Sequence, residues 1–183
     1  MFKIKSLFLV FIFFFLTCSK SSVTDIQRSC LGFVQQFYDW YVPIAYNAYE
    51  NKIVASDIAV EEKSNVFSRE LLELLIKEKL IRERSPETIQ GLDFDPFLST
   101  QDPCPEYLIG EVVQDRGRFF VYVYGVIKSQ KNKHPDVIVE LALNNDKWFF
   151  VNFHYGKKLS SDYNLLIILR KICESAQGDG VGS

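Results

Sequence analysis

Three aspartates lie close together in a proline-rich segment near the middle of the chain. Asp93, Asp95 and Asp102 fall, with Gln101, within GLDFDPFLSTQDPCPE at residues 91–106. Grouped carboxylates can supply oxygen ligands for Ca²⁺, and a single one can act as a general base. Aspartates in turns also accept hydrogen bonds from nearby backbone N–H groups. The segment lacks the glycine and the distal glutamate of an EF-hand loop, so no metal is predicted, and ligand contact and turn capping both stay open.

His154 is a second candidate for a functional side chain. Two-residue alternation along a strand predicts that it lies on the same side as Trp148 and Phe150. In a pocket, its imidazole could act as a general base near neutral pH; otherwise it is a hydrogen-bonded residue at a strand end. The chain has no Ser-x-x-Lys or Gly-x-Ser-x-Gly motif, so no nucleophilic mechanism is predicted. No catalytic residue is assigned, and His154, Asp93 and Asp102 are the candidates.

Tyrosines at helical spacing form a third group. Tyr38 and Tyr41, followed by Tyr46 and Tyr49, could line an apolar pocket with their hydroxyls inside, although aromatic residues at this spacing also form cores. The residues predicted to bind a ligand are Asp93, Asp95, Gln101, Asp102, Tyr41 and Tyr155.

The amino terminus has the pattern of an export signal. Lys3 and Lys5 precede an apolar run of ten residues, Leu7–Leu16. Ten residues are too few to span a bilayer, which needs about 20, but they fit the apolar region of a secretory signal. Residues 1–17 are therefore predicted to be a signal peptide. No second apolar stretch of spanning length follows.

Cys18, directly after the apolar run, resembles the lipid-modified cysteine of bacterial lipoproteins. It predicts lipidation at Cys18 and a location in the bacterial cell envelope, in the periplasm or on the outer surface, with residues 18–28 as a polar tether. Phe15 and Thr17 stand where the lipoprotein motif commonly has leucine and a small residue. Ordinary secretion with Cys18 removed, or an uncleaved anchor, therefore stays open.

Charge and cysteine content limit which functional classes of protein the sequence allows. Without residues 1–17 the chain carries a net charge of −4, which excludes the basic face of a nucleic-acid binder. The run Lys128, Lys131 and Lys133 is either a solvated loop or a contact for anionic lipid head groups. Three further cysteines, Cys30, Cys104 and Cys173, allow one disulfide or three buried apolar side chains. No cofactor is predicted.

The periodicity of apolar residues predicts helices first, strands second and one helix last. A helix begins at Ser29, and Pro43 bends or ends it. Residues 50–64 are predicted to be irregular, and a second helix capped by Ser68 runs to about Arg84. Strands follow at 107–114, 119–127, 137–143 and 148–155, with Trp148 in the core, and a final helix spans about 162–173.

These elements predict a single α+β domain over residues 29–175, with a disordered tail at 176–183. The short connections require an antiparallel meander of four strands, and the N-terminal and C-terminal helices must pack on it. A curved sheet of this kind would leave a concavity between the layers.

Four segments, in this order, resemble the bacterial domain-of-unknown-function family 3828 of the nuclear-transport-factor-2-like superfamily. They are FVQQFYDWY (33–41), FSRELLELL (67–75), DFDPFLSTQD (93–102) and WFFVNFHYG (148–156). The resemblance covers about residues 29–173 and implies a cone-like fold around a pocket. Many members of the superfamily bind small apolar ligands; some are isomerases or dehydratases, and others are binding or dimerisation modules.

The sequence therefore favours a non-enzymatic envelope module that binds a small apolar ligand or another envelope protein, with a homodimer as one possible assembly. The alternative is a pocket enzyme of the isomerase or dehydratase type, with His154 or a loop aspartate as its base. Fold resemblance does not decide between them.

Overall fold

The computed structural model describes residues 21–51, 53–84, 90–156, 159 and 163–178. Within these residues the chain forms four helices and five strands, in the α+β class that the sequence predicts. The first helices are α1 (Ser21–Asn51), α2 (Ala55–Glu62) and α3 (Arg69–Arg84). The strands are β1 (Glu106–Asp115), β2 (Arg118–Ile127), β3 (Gln130–Lys131), β4 (Val137–Asn144) and β5 (Lys147–Tyr155), and α4 (Leu165–Gly178) follows them.

The sheet is an antiparallel meander with strand order β1-β2-β4-β5. The four predicted strands are present within one or two residues of their predicted ends. The fifth, β3, is a two-residue extension that pairs only with β2. Tight turns set the register: Asn145 and Asp146 have φ angles of 48° and 59°, as the two-residue hairpin between β4 and β5 requires.

The outer edge of β5 is covered by other parts of the chain. Phe67 bridges Phe150 in parallel, and the Ser68 backbone N–H donates to the Phe150 carbonyl at 2.8 Å. Further along, the Tyr155 N–H donates to the Tyr163 carbonyl at 3.2 Å. This edge therefore presents few free backbone groups to another strand.

Aromatic rings fill the space between the helices and the sheet. Phe37 of α1 has its ring centroid 4.7 Å from that of Phe150, and Phe97 lies 5.0 Å from Phe153. Trp148 is 8% exposed, as predicted for a core residue, and its indole N–H donates to Ser29 Oγ at 3.0 Å. The middle of the fold is thus a packed core, and open space lies at its margin.

The helical region departs from the prediction at Pro43 and over residues 50–64. Of the two outcomes predicted at Pro43, the end of the helix does not occur, because α1 continues to Asn51. Pro43 is exposed, so water can satisfy the Asp39 carbonyl that loses its partner. The prediction of irregular structure over residues 50–64 is wrong, because α2 occupies 55–62. Its apolar signal is weak, since it buries mainly small residues such as Ala55 and Ala59.

The predicted ends of the domain are only partly described. Residues 1–17 and Cys18 lie outside the described residues, as do residues 179–183 of the predicted tail. The prediction of disorder is wrong for residues 176–178, which are the last residues of α4. Ser21 to Arg28, expected as part of a polar tether, are the first turns of α1. No helix within the described residues is long and apolar enough to cross a membrane.

The three cysteines of the described residues are all unpaired. Cys30 and Cys173 are buried and Cys104 is half-buried, and the disulfide that the sequence left open among these three is not formed. Burial raises the pKa of the Cys30 thiol to about 12. These side chains act as small apolar groups in the packing.

Candidate functional site

A cavity of about 320 Å³ lies between the C-terminal end of α1, the start of α2 and the segment that leads to β1. Its volume is at the lower end of the range for small-molecule pockets. The wall consists of Ala45, Ala48, Ile53, Val54, Ala55, Ser56, Leu92, Asp93, Phe94, Asp95, Thr100, Gln101 and Pro103. Small side chains on the two helices leave the space, and the aspartate loop, residues 91–106, closes one side.

Three buried tyrosine hydroxyls hold the aspartate loop against the core. From α1, Tyr38 donates to the Phe97 carbonyl at 2.7 Å, and Tyr41 donates to Asp95 Oδ2 at 2.6 Å. From β5, Tyr155 donates to the Pro96 carbonyl at 2.8 Å. The aspartate loop is thus ordered and packed on the core.

Asp95 caps the turn inside this loop. Its Oδ1 accepts the backbone N–H groups of Phe97 at 2.9 Å and of Leu98 at 3.1 Å. Its own N–H donates to the Thr100 carbonyl at 2.8 Å, and Ser99 closes the turn with a φ of 58°. With the Tyr41 bond, three of roughly four acceptor positions of the carboxylate are occupied.

Burial away from water has the largest effect on the pKa of Asp95. Desolvation raises its pKa to about 6, although the hydrogen bonds from Tyr41, Phe97 and Leu98 favour the carboxylate and act in the opposite direction. Desolvation likewise raises the pKa of Tyr41 well above its ordinary value, and the adjacent Asp95 charge adds to this. Tyr41 therefore stays a donor while Asp95 titrates close to neutral pH.

The predicted binding residues divide into two sets. Asp93, Asp95 and Gln101 line the cavity. Tyr41 and Tyr155 are buried behind the loop and position it, and neither is part of the cavity wall.

Asp102 also falls outside the cavity wall. It is exposed, and its backbone N–H and carbonyl both bond to Thr100 Oγ1 at 3.0 Å. No three His, Cys, Asp or Glu residues of the described part of the chain are grouped to hold a metal ion. The three loop aspartates thus do not form a calcium site.

Ser56 is a cavity residue that the sequence did not reveal. It is only 7% exposed, and its hydroxyl makes no hydrogen bond to another residue of the described chain. Every fully buried side-chain oxygen or nitrogen in that part of the chain has a partner. The Ser56 hydroxyl must therefore be reachable from the cavity that Ser56 lines. Ser56 lies at the start of a helix that the apolar periodicity does not predict, so no sequence pattern pointed to it.

A buried ionic group fixes the two walls relative to each other. Glu78 of α3 is 3% exposed and accepts the Leu92 N–H at 3.0 Å. Arg82 bonds Glu78 through Nε at 3.2 Å and reaches Asp57 of α2 at 2.8 Å. Gly91 is required beside this group, because its φ is 155° and a Cβ there would lie 2.6 Å from Glu78 Oε1.

His154 does not lie where the strand alternation predicts. The register between β4 and β5 shifts between Glu140 and Leu141, which leaves Val151 as an extra residue in β5. The shift reverses the alternation beyond it, so His154 faces away from the Trp148 side. Its Nε2 is 2.9 Å from Glu140 Oε2, on a part of the sheet separate from the cavity.

Comparison with known proteins adds no assignment. No family model matches the chain, and no curated protein or solved structure shows significant similarity to it. The functional argument therefore depends on the geometry of the cavity.

Proposed function

We propose that the protein is an exported, lipid-anchored module of the bacterial cell envelope that binds a small ligand in this cavity without transforming it. The observation that carries the proposal is the composition of the wall. Apolar surface from Ala45, Ala48 and Phe94 meets a few polar groups, among them Asp93 and Ser56. Ligand pockets generally combine an apolar surface with a small number of orienting polar groups. The resemblance to family 3828 is consistent with such a role.

Binding fits this wall better than catalysis does. The Asp95 carboxylate already accepts three hydrogen bonds that hold the loop, which limits its freedom to take a proton from a ligand. His154, the other candidate base, does not line the cavity. Within the described part of the wall, no Ser or Thr hydroxyl is paired with a histidine.

An anchor at Cys18 would also determine how far the cavity lies from the membrane. α1 begins three residues after Cys18, and Cys30 is fully buried, the first such residue among the side chains of α1 that the structure describes. The cavity lies near Ala48, about 27 Å further along the helix at 1.5 Å per residue. The cavity would then be at the end of the domain away from the membrane. A water-soluble ligand is therefore the expected occupant.

A cavity-filling variant with a neighbouring control tests the binding role. Ala48→Leu places a larger side chain in the wall, whereas Asn47→Leu adds the same side chain at an exposed position of α1. We expect saturation-transfer NMR with a library of small soluble compounds to find binders of the wild-type protein. Asn47→Leu should bind the same compounds and Ala48→Leu should not. Equal binding by Ala48→Leu, or no binder for the wild type, would contradict the proposal.

The lipid anchor has a separate test. Cys18→Ala should release the protein from the membrane fraction into the aqueous phase of a detergent partition. Mass spectrometry of the wild-type amino terminus should find a lipidated Cys18 as the first residue. If wild type and variant partition alike, the anchor is rejected while the cavity proposal stands.

The alternative is a pocket enzyme with Asp95 as its base, and one observation favours it. The pKa of Asp95, raised to about 6 by burial, is in the range that suits a general base near neutral pH. A catalytic Asp95 predicts that Asp95→Asn keeps ligand binding and loses turnover of that ligand. A binding role for the wall predicts that the bound compound is recovered unchanged from wild type and variant alike.

A further inference from the structure

We infer that the cavity binds a small primary ammonium compound with a short apolar body, which specifies the ligand class of the proposed function and rests on it. The inference comes from the charge of the wall, from the acceptors that are still available, and from the cavity volume.

The carboxylates of the wall have no described counter-charge. Among the wall residues, Asp93 and Asp95 are acidic, and none is Lys, Arg or His. The nearby cations of α3 are already paired with other groups: Arg82 with Asp57 and Glu78, and Lys79 with Glu61. Within the part of the wall that the structure describes, a cation that enters the cavity therefore meets net negative charge, and an anion meets repulsion.

The acceptors suit an ammonium group rather than a metal ion. An ammonium group has three N–H donors and needs acceptors in several directions. The wall offers the Asp93 carboxylate, the remaining acceptor position of Asp95, and the unbonded Ser56 hydroxyl. Ser56 is the second, independent observation: its side chain is 7% exposed, and its hydroxyl has no hydrogen-bond partner in the described chain and is reachable from the cavity, so it can bond to an occupant. A metal ion would need a denser group of ligands than the described residues supply.

The volume limits the apolar part. About 320 Å³ is the space of roughly ten water molecules at about 30 Å³ each, which fits a ring or branched chain of six or so carbons. Ala45, Ala48 and Phe94 provide the apolar surface that such a body would contact.

Three probes with the same ring and different charges distinguish the effect of charge on binding from the effect of shape. The full-length protein is titrated by calorimetry at pH 7 with cyclohexylamine, cyclohexanol and cyclohexanecarboxylate. We expect the amine, present as its ammonium ion, to bind about tenfold more tightly than the alcohol, because charge-assisted hydrogen bonds are stronger than neutral ones. The carboxylate should bind most weakly. The preference for the amine should shrink as salt is raised from about 0.02 M to 0.5 M.

Two variants in the aspartate loop complete the test. Asp93→Asn should reduce the preference for the amine to about threefold or less, whereas Asp102→Asn, exposed in the same loop and outside the wall, should keep it. Asp93 is exposed, so its variant is expected to fold. Equal binding of amine and alcohol, abolished by Ala48→Leu, would overturn the ammonium inference and leave the proposed function standing. Failure of all three probes and of the compound library would overturn both.

Discussion

Two irregular loops lie side by side at one end of the sheet and are held in different ways. The aspartate loop precedes β1, and the lysine loop, residues 128–136, joins β2 to β4. Both loops contact Gly125 of β2: a Cβ on this residue would lie 2.7 Å from Cys104 Sγ of the aspartate loop and 3.2 Å from Asn132 Nδ2 of the lysine loop. The aspartate loop sends Phe97 and Leu98 into the core, where both are fully buried. The lysine loop keeps most of its side chains in solvent.

The lysine loop is held by local contacts. Asp136 accepts the Gly125 N–H at 2.6 Å and the Asn132 side-chain amide at 3.0 Å, and its own N–H donates to the Val123 carbonyl at 2.9 Å, so its bonds join residues no more than 13 apart. Lys128 has a φ of 50°, as a tight turn requires. Lys131 lies with its Nζ 4.0 Å from the centroid of the Tyr124 ring.

The aspartate loop is held by bonds from distant parts of the chain. The tyrosines that fix it are 54 to 59 residues away in sequence. Such a loop orders only when the whole domain folds, whereas the lysine loop needs only its own hairpin. The aspartate loop is therefore suited to form a rigid wall of a binding site, and the comparison predicts unequal effects of substitution.

The largest effect is expected at Phe97. Phe97→Ala should lower the free energy of unfolding by about 3–5 kcal/mol, because it empties a fully buried site between Phe67 and Phe153. Urea unfolding measures the loss, and Phe94→Ala, at a half-buried position of the same loop, should cost less. A small loss for Phe97→Ala would show that the aspartate loop is as detachable as the lysine loop.

The next effect is a pH dependence that comes from Asp95. Its folded pKa is raised to about 6 from 3.8, so its contribution to stability is fully present below pH 4 and is lost as the pH rises through 6. The groups that face it are Tyr41 and Tyr38 of α1 and Tyr155 of β5, all with raised pKa values and thus neutral in this range.

The measurement compares wild type with Asp95→Asn. The difference in unfolding free energy should shift by about 2–3 kcal/mol between pH 4 and pH 7, in favour of the variant at the higher pH. Asp93→Asn, at an exposed position of the same cavity wall, is the control variant. A flat difference for Asp95→Asn would mean that the carboxylate is better hydrated than the structure shows.

Loss of a single tyrosine hydroxyl should have a smaller effect. Tyr41→Phe and Tyr155→Phe should each cost about 1–2 kcal/mol, since each leaves a buried acceptor of the loop without its donor. A double-mutant cycle sharpens the result: Tyr41→Phe should cost less in an Asp95→Asn background, and Tyr155→Phe should not. If the losses for Tyr41→Phe and Asp95→Asn were additive, the hydrogen bond between the two side chains would contribute no interaction energy.

The smallest effect is expected in the lysine loop. Lys131→Ala should lower stability by about 0.5–1 kcal/mol or less, because it removes only an exposed contact with the Tyr124 ring. Lys128→Ala, with no ring contact in the described structure, is the matched control. A loss as large as that of Phe97→Ala would end the contrast between the loops.

Local chemistry explains which parts of the fold could be predicted. The turns contain Gly117 in one case and Asn145 and Asp146 in the other, residue types that tolerate positive φ, so the strand ends followed from residue type. Ser68 was recognisable as a helix cap and lies with its Oγ 3.4 Å from the Leu71 N–H. α2 was missed, because a short helix that buries alanines gives little periodic signal.

The site was predictable in part for the same reason. Three aspartates next to prolines indicate a structured, polar loop, and Asp93 and Asp95 do line a cavity. Ser56 and the alanines of the opposite wall carry no signal, because their role arises only from the approach of α2 to the loop. Gly91 and Glu78 were not singled out either, since their contact joins residues that are distant in sequence.

By itself the sequence determined the α+β class, the order of the meander and the presence of an ordered aspartate loop, because turn residues and apolar periodicity act over a few residues. Tertiary structure alone decided which side of β5 His154 occupies, since one extra residue, Val151, reverses the alternation. It also decided that Tyr41 holds the loop rather than contacting a ligand, and where the cavity lies. The tyrosine bonds that hold the loop join residues more than 50 positions apart, and local sequence patterns do not indicate such contacts.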